Sequence, residues 1–494
     1  MDFHVSLDGQ GDLSGRIYRQ LLDAVLDGRL RPGERLPPTR RLAGHLDVSR
    51  NTVSLAYERL IAEGFLVARV GAGTFVRAEP LRGARPARPS GPARQAPAGR
   101  GVRPRGVWRS VLASAAVPEP PAAPEGAAAP TYNFRAGVPD TGLFPLQTWR
   151  RLVAGELRSA AVRSAGGYGG PAGHAGLRAA IARYAGLSRS VRAGADDVLV
   201  TRGAQQAFDL IGRVLIEPGM CVAVEEPGYP QVRLLFRTLG ARVAAVPVDA
   251  EGLDVTAIPA AARLVYVTPS HQFPLGTPMS LERRAALLEW AERRGAVVIE
   301  DDYDSEFRFA DRPLEPLQSL DRGGRVIYVG SFSKTMLPML RLGYLVAPAS
   351  LRPALRAAKR LADWQGEFTT QAALARFIDD GLLARHVRKA ARHYAARHER
   401  IGTALRRDLC DWLAPVPSIA GLHVCARLRP DVRVDMAEVL RRADAAGVAV
   451  EDLARYCAET PQPGLVLGYG AIPLERIDQG LRRLAACFAS GRSG

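Results

Sequence analysis

Ile17, Leu21, Leu22 and Val25 recur at the three-to-four-residue spacing of an amphipathic helix, which Asp27-Gly28 ends. After the turn-rich run Arg31-Pro32-Gly33-Glu34-Arg35-Leu36-Pro37-Pro38, Thr39 is placed to cap a short helix whose apolar face is Leu42, Ala43 and Leu46. Asp47-Val48-Ser49 breaks that helix, and Ser49 can cap another, predicted from Arg50 to about Glu63. Its stripe of Val53, Ala56, Leu60 and Ile61 leaves Arg50, Asn51, Ser54 and Arg59 outward. Two strand-like runs, 65–69 and 74–77, joined by Val70-Gly71-Ala72-Gly73, predict a hairpin. Helix, three-residue turn, helix and hairpin make a winged helix-turn-helix layout. Further along, the pattern changes to short continuous β-branched runs at 198–201, 221–224, 264–267, 296–299 and 326–329, with helical stretches between them. This alternation predicts an α/β body with a mostly parallel sheet buried on both faces. Between the two parts, residues 81–130 show neither period, and 37 of these fifty are Ala, Pro, Gly or Arg. Such a segment cannot bury enough to fold, so the chain divides into a head (1–80), a flexible linker (81–131) and a body (132–494).

Composition adds limits. At 494 residues and 47% apolar content, wholesale disorder is excluded. There is no uninterrupted apolar stretch of about 18 residues, and the start Met1-Asp2-Phe3-His4 does not read as a secretion signal, so the expectation is a cytoplasmic protein without a membrane partner. Five scattered cysteines without a CxxC pair signal neither a disulfide framework nor a metal site. The net charge of +17 favours polyanions, but residues 1–80 hold 11 Arg against 10 acids and residues 81–131 hold 8 against 2. Net charge therefore does not locate a DNA reader, although the linker's basicity suits salt-sensitive, nonspecific DNA affinity.

Local chemistry does locate one. A recognition helix presents polar side chains of its first turn to base edges while neighbouring Arg, Ser and Thr groups hold phosphates. Arg50 and Asn51 suit base edges, and Arg40, Arg41, Ser49 and Thr52 suit the backbone. Gly71 and Gly73 let the hairpin tip approach a groove wall, with Arg69 and Arg77 flanking it. A three-helix protein-interaction module is the competing reading of the same shape. The run LPPTRRLAGHLDVSRNTVSLAYERLIAEGFLVARVGAGTFV closely resembles the winged-helix reader of the GntR family of bacterial transcription regulators. The resemblance implies that Arg40, Ser49, Arg50, Asn51, Thr52, Gly71 and Gly73 touch double-stranded operator DNA.

In the body, ligands should gather where parallel strands end. Glu300-Asp301-Asp302-Tyr303-Asp304 follows one strand and Gly330-Ser331-Phe332-Ser333-Lys334 the next. An ε-amine beside hydroxyls, with carboxylates on the adjoining strand, is what a cofactor held as a Schiff base needs. The lysine forms the imine, a carboxylate keeps the cofactor's ring nitrogen protonated, and a tyrosine bonds its phenolic oxygen. Thr201-Arg202-Gly203-Ala204-Gln205-Gln206 supplies a glycine and a helix start for a phosphate, and Arg341 adds permanent charge. Of 67 basic residues only Lys334, Lys359 and Lys389 are lysines, and Arg cannot form an imine. Lys359 and Lys389, in Arg-rich helical contexts, are expected on solvated faces.

Residues 132 to about 490 are similar to fold-type I aminotransferases, through FRAGVPDTGLFPLQTWRR, YGGPAGHAGLR, TRGAQQAFDL, EEPGYP, TPSHQFPLG, IEDDYDSEF, YVGSFSKTMLP and RLGYLV. The whole chain resembles the MocR subfamily of GntR regulators. The resemblance implies pyridoxal 5′-phosphate joined to Lys334, with Asp301 at the pyridine nitrogen, Tyr303 at the phenolic oxygen and Tyr229 stacked on the ring. Gly203, Ala204, Gln205, Ser331, Ser333 and Arg341 would surround the phosphate, and Tyr168 would reach it from the other subunit of a homodimer. Asp302 competes with Asp301 for the ring nitrogen. Two departures stand out. Phe273-Pro274-Leu275-Gly276 replaces the usual Asn-Pro-Thr-Gly, so His271 or Gln272 would stand in for the Asn. Val466-Leu467-Gly468-Tyr469 replaces the Arg-Leu-x-Phe/Tyr element whose Arg clamps a substrate carboxylate. The expected function is transcription regulation through sensing of pyridoxal phosphate, with control of vitamin B6 synthesis favoured, or of an amine or amino acid that reacts with it. Efficient turnover is not expected. The alternatives are a working aminotransferase with an accessory head and a structural DNA-bridging protein.

Overall fold

A computed structural model describes residues 12–69, 71–77, 106–107, 130–158, 167–309 and 315–489. Nearly all of the predicted linker, and Val70 of the hairpin, lie outside the described residues. The chain forms two compact units, Met1–Pro104 and Arg105–Gly494.

In the first unit, Asp12 caps α1 (Leu13–Leu26) by accepting from the Ser14 N–H. Helix α2 (Thr39–Leu46) begins one residue earlier than the capping pattern predicts. Thr39 is its first helical residue, and the cap is Pro38, whose carbonyl takes the Arg41 and Leu42 N–H groups. Asp47, at φ 52°, ends α2 in the left-handed region. Ser49 caps α3 (Arg50–Ala62), accepting from the Thr52 N–H at 3.1 Å. Tyr57 takes the place expected for Ile61 in the buried stripe, and its hydroxyl reaches the Pro37 carbonyl at 2.9 Å. The hairpin pairs β1 (Leu66–Arg69) with β2 (Gly73–Val76) antiparallel, Leu66 facing Val76 and Arg69 facing Gly73. Gly73 has φ +113°, and a Cβ there would come 3.0 Å from Arg35 Nε, so glycine is required. Ile17, Leu21, Leu42, Val53, Leu60 and Val76 close one core beneath these elements.

In the second unit, β3 (Tyr132–Asn133) pairs with β14 (Val448–Ala449). An eight-stranded sheet runs in the order β4-β11-β10-β9-β8-β5-β6-β7. Its strands are β4 (Val198–Thr201), β5 (Cys221–Glu226), β6 (Arg242–Asp249), β7 (Gly252–Leu253), β8 (Ala262–Val267), β9 (Val297–Asp302), β10 (Val326–Ser331) and β11 (Gly343–Val346). Strands β6, β5, β8, β9 and β10 pair in parallel, so their carboxyl ends open on one edge. Strand β11, which the apolar runs do not announce, is inserted antiparallel between β10 and β4. Apolar clusters cover both faces, as double-sided burial requires. A smaller antiparallel sheet joins β12 (Leu413–Pro415), β13 (His423–Leu428), β16 (Gly464–Gly468) and β15 (Glu451–Asp452).

One expectation is overturned. Lys359 is not solvated but buried, 1% exposed. Its ammonium pairs with Asp363 one turn on, and that carboxylate also takes Arg202 Nε at 3.3 Å and Gln206 Nε2 at 2.8 Å. An i,i+4 carboxylate makes this burial affordable, since a paired ammonium can leave bulk water where a lone one cannot. Lys389 is exposed. Among the described residues, no helix is long and apolar enough to cross a membrane.

Candidate functional site

On the head, Arg50 and Asn51 lie exposed in the first turn of α3, and Arg40 and Arg41 lie exposed in the first turn of α2. Ser49 Oγ sits 2.7 Å from Thr52 Oγ1, so the two hydroxyls fix the start of α3. The wing residues Arg69, Gly71, Gly73 and Arg77 are exposed, with the Arg69 guanidinium 5.1 Å from the Phe75 ring centre. Arg59, also outward, is held by Glu63 at 3.0 Å and lies 4.0 Å above the Tyr18 ring. Arg50 and Asn51 are thus the outward groups of α3's first turn, presented by a capped helix end.

In the body, the carboxyl ends of the parallel strands open into a cavity of about 490 Å³. Lys334, Asp301, Tyr303, Tyr229, Ala204, Gln205, Ser331, Ser333 and Arg341 all line it. Gly203 stands just behind, with φ +75°, and a Cβ there would lie 2.9 Å from the Arg341 guanidinium. It is also the N-cap of the helix Ala204–Leu215 and brings no side chain to occupy the first-turn N–H groups. A helix start of this kind, with Arg341 beside it and two serines opposite, forms an anion cradle.

The two adjacent aspartates separate cleanly. Asp301 lines the cavity; Tyr266 donates to its Oδ2 at 2.6 Å, while its Oδ1 is buried without a partner. Asp302 points the other way, where Tyr328 donates to Oδ2 at 2.6 Å, Ser305 donates to Oδ1 and Arg189 stands 3.5 Å off. A buried carboxylate oxygen without a donor normally needs an explanation, and a protonated ring nitrogen would supply the missing donor. Lys334 donates to the Gly137 carbonyl. Burial pushes its ammonium down from the ordinary lysine range, against the pull of Asp304, Asp301 and Glu451. A larger neutral fraction makes a better nucleophile. The residues present therefore fit a pyridoxal phosphate.

The two predicted stand-ins for the Asn, His271 and Gln272, are not brought to the cavity. His271 stands behind Tyr303: its Nδ1 is 3.0 Å from Asp304, and its Nε2 is 3.1 Å from Ser418 Oγ. Gln272 is turned to Glu225 and the Pro227 carbonyl. Tyr303 donates to the His271 carbonyl at 2.9 Å. Tyr168 is 85% exposed, with its ring 5.3 Å from Trp364, and does not line its own chain's cavity. Conversely, sequence reasoning did not find Tyr266, Asp304, Gln231, His423, Glu451 and Tyr456, all of which line it. Tyr266 is the last residue but one of the run Leu-Val-Tyr-Val before the Thr-Pro turn, so the strand-end rule applied to β8 could have found it. His423, Glu451 and Tyr456 come from the smaller sheet and its edge, and no local motif marks them.

Burial pushes the Asp301 carboxyl up to about 7 in the cofactor-free chain. Its folded value then exceeds its unfolded one, so the stability it contributes is complete below about pH 4 and is lost as pH rises through about 7. His174, His386, His398 and His423, held down by burial, act in the opposite sense. A difference measurement isolates the aspartate. Cofactor-free Asp301→Asn should gain Tm over wild type as pH rises from about 5.5 to about 8. A difference that shrinks over that range would contradict the buried, unpartnered carboxyl.

Residues 131–460 match the family Aminotransferase class I and II, and residues 13–76 match Bacterial regulatory proteins, gntR family. The chain is 38% identical over 488 residues to the probable rhizopine catabolism regulatory protein MocR of Rhizobium meliloti, covering 97% of this chain and 94% of the relative. It is 34% identical over 503 residues to the HTH-type transcriptional regulator TauR of Rhodobacter capsulatus, covering 98% of each. Among solved structures it is similar to the kynurenine aminotransferase of Pyrococcus horikoshii in complex with PMP. There the TM-score is 0.69 and the identity 26%, covering 79% of this chain and 96% of that one.

Proposed function

The chain belongs to the MocR group of GntR-type transcription regulators, which carry an aminotransferase class I and II body, and from that premise we propose that it regulates transcription in the cytoplasm according to what its body cavity holds. The observation that carries this reading is the unpartnered, buried Asp301 Oδ1 in the same cavity as Lys334. The cofactor is pyridoxal 5′-phosphate. Lys334 holds its aldehyde carbon, Asp301 accepts from the pyridine N–H, and Tyr229 lies along the ring. Gly203, Ala204, Gln205, Ser331, Ser333 and Arg341 bind the phosphate, and Tyr303 stands at the phenolic oxygen. When bound, the group supplies a reactive carbonyl and an electron sink for amines.

The working unit is a homodimer. Tyr168, exposed beside Trp364, is placed to meet the other subunit's phosphate. Arg50 and Asn51 read base edges, while Arg40, Arg41, Ser49, Thr52, Arg69, Gly71 and Gly73 position the head on the duplex. An occupant that binds one arrangement of the dimer better shifts the population, and by linkage operator affinity shifts with it. Footprinting the DNA upstream of the protein's own locus, with and without pyridoxal phosphate, is the direct test. A protected operator whose half-saturation moves on loading is expected; identical footprints at all cofactor concentrations would overturn the reading.

A further inference from the structure

Once the cofactor's needs are assigned, one charged group in the cavity is left over. Among the described residues Arg341 is the only guanidinium lining it, and it lies with Ala204, Gln205, Ser331 and Ser333 at the anion cradle. Asp301 serves the ring nitrogen, and Asp304 is engaged by His271. Glu451 remains. Its carboxylate accepts a hydrogen bond from Tyr456, and among the described residues it forms no ion pair with Arg, Lys or His. Of the cavity's other basic side chains, Lys334, on which Glu451 pulls in the cofactor-free chain, is committed to the cofactor, and His423 is held down at about 3 by burial and by His271, so it brings no positive charge.

Position strengthens the point. Glu451 on β15 is the direct cross-strand partner of Val466 on β16. Val466 stands where the resemblance to aminotransferases would place the carboxylate-clamping Arg, and it is fully buried among Leu275, Cys425 and Leu453. Directly opposed residues of an antiparallel pair share a face. A carboxylate therefore stands across the strand pair from where a guanidinium would have come. An incoming ligand carboxylate would meet like charge and no clamp, whereas an ammonium would meet an unpaired acceptor.

We propose that Glu451, steadied by Tyr456, is the specificity-determining group for the effector, and that the effector is a small primary amine with a second ammonium group and no carboxylate. This rests on the cofactor reading of the cavity. It makes the two ends of the ligand distinct: one amine faces the cofactor and Lys334, and the other faces Glu451.

Three three-carbon probes test it by calorimetric titration into the full-length, cofactor-loaded protein. Wild type should bind 1,3-diaminopropane at least about 10-fold more tightly than propylamine, the discrimination a partly buried charge contact supports, with β-alanine weakest of the three. Glu451→Gln, which keeps the shape, should level diaminopropane with propylamine, and Tyr456→Phe, which keeps the carboxylate, should retain the preference. The wild-type ranking needs no variant. β-Alanine binding as tightly as the diamine, equal binding of diamine and monoamine, or no binding of any probe would overturn the proposal, as would a preference unmoved in Glu451→Gln. A protein that takes up no pyridoxal phosphate removes the cavity reading itself. One that takes it up in a Lys334-dependent way but fails the ranking removes only the assignment of Glu451.

Discussion

Lys334→Ala is expected to abolish completely the absorbance at about 420 nm that the wild-type protein acquires with pyridoxal phosphate. The reason is chemical as much as geometric. Only a primary amine can make the covalent link, and the other two lysines are not placed to replace it. Lys359 is buried against Asp363, and Lys389 is exposed on the long helix Leu382–Asp408. The anion cradle and Asp301 are untouched by the substitution, so weak non-covalent uptake should survive without the band. Operator binding by the unloaded protein should match wild type, because α2, α3 and the hairpin carry that contact, while any response to cofactor disappears. A band of undiminished intensity in Lys334→Ala would remove the assignment of the cavity.

The second large effect is on DNA. Arg50→Ala or Asn51→Ala should weaken binding to the specific operator by about 1–3 kcal/mol, roughly 5- to 150-fold, with little change on random duplex. Arg41→Ala, at the start of α2, should weaken both similarly and lower the salt dependence by about one phosphate contact. Among the described residues neither α3 side chain is tied down within the head, unlike Arg59, so the loss reads as recognition rather than folding. Equal losses on operator and random DNA for all three variants, measured by fluorescence anisotropy, would contradict these roles.

Much of this was legible in the chain because it is local. The cap at Ser49, the stripe of α3, the glycine wing and the strand-end position of Lys334 each depend on a few consecutive residues. What was not legible depends on where distant segments meet. Tyr57 displaces Ile61 from the buried stripe because the Pro37 carbonyl offers its hydroxyl a partner across the core. Sequence spacing left Asp301 and Asp302 tied, and only alternation along β9, with Tyr266 on one side and Tyr328 on the other, gives them opposite surroundings. Glu451, Tyr456 and His423 reach the cavity from a second sheet through pairings far apart in the chain, and no spacing rule anticipates that. Lys359 was misjudged because its Arg-rich neighbours suggested a wet face, whereas a carboxylate four residues on changes what an ammonium can tolerate.

The buried Lys359 has a practical outcome. Amine-directed reagents find few targets in a protein that uses Arg for nearly every positive charge. Cofactor loading shields Lys334, and Lys359 is closed off by packing, which leaves Lys389 as the accessible ε-amine among the three. Acylation of the loaded protein should thus tag one helix of the body at a single side chain, apart from the α-amino group. A donor dye placed there, with an acceptor on duplex DNA, would turn regulation into a distance read in real time.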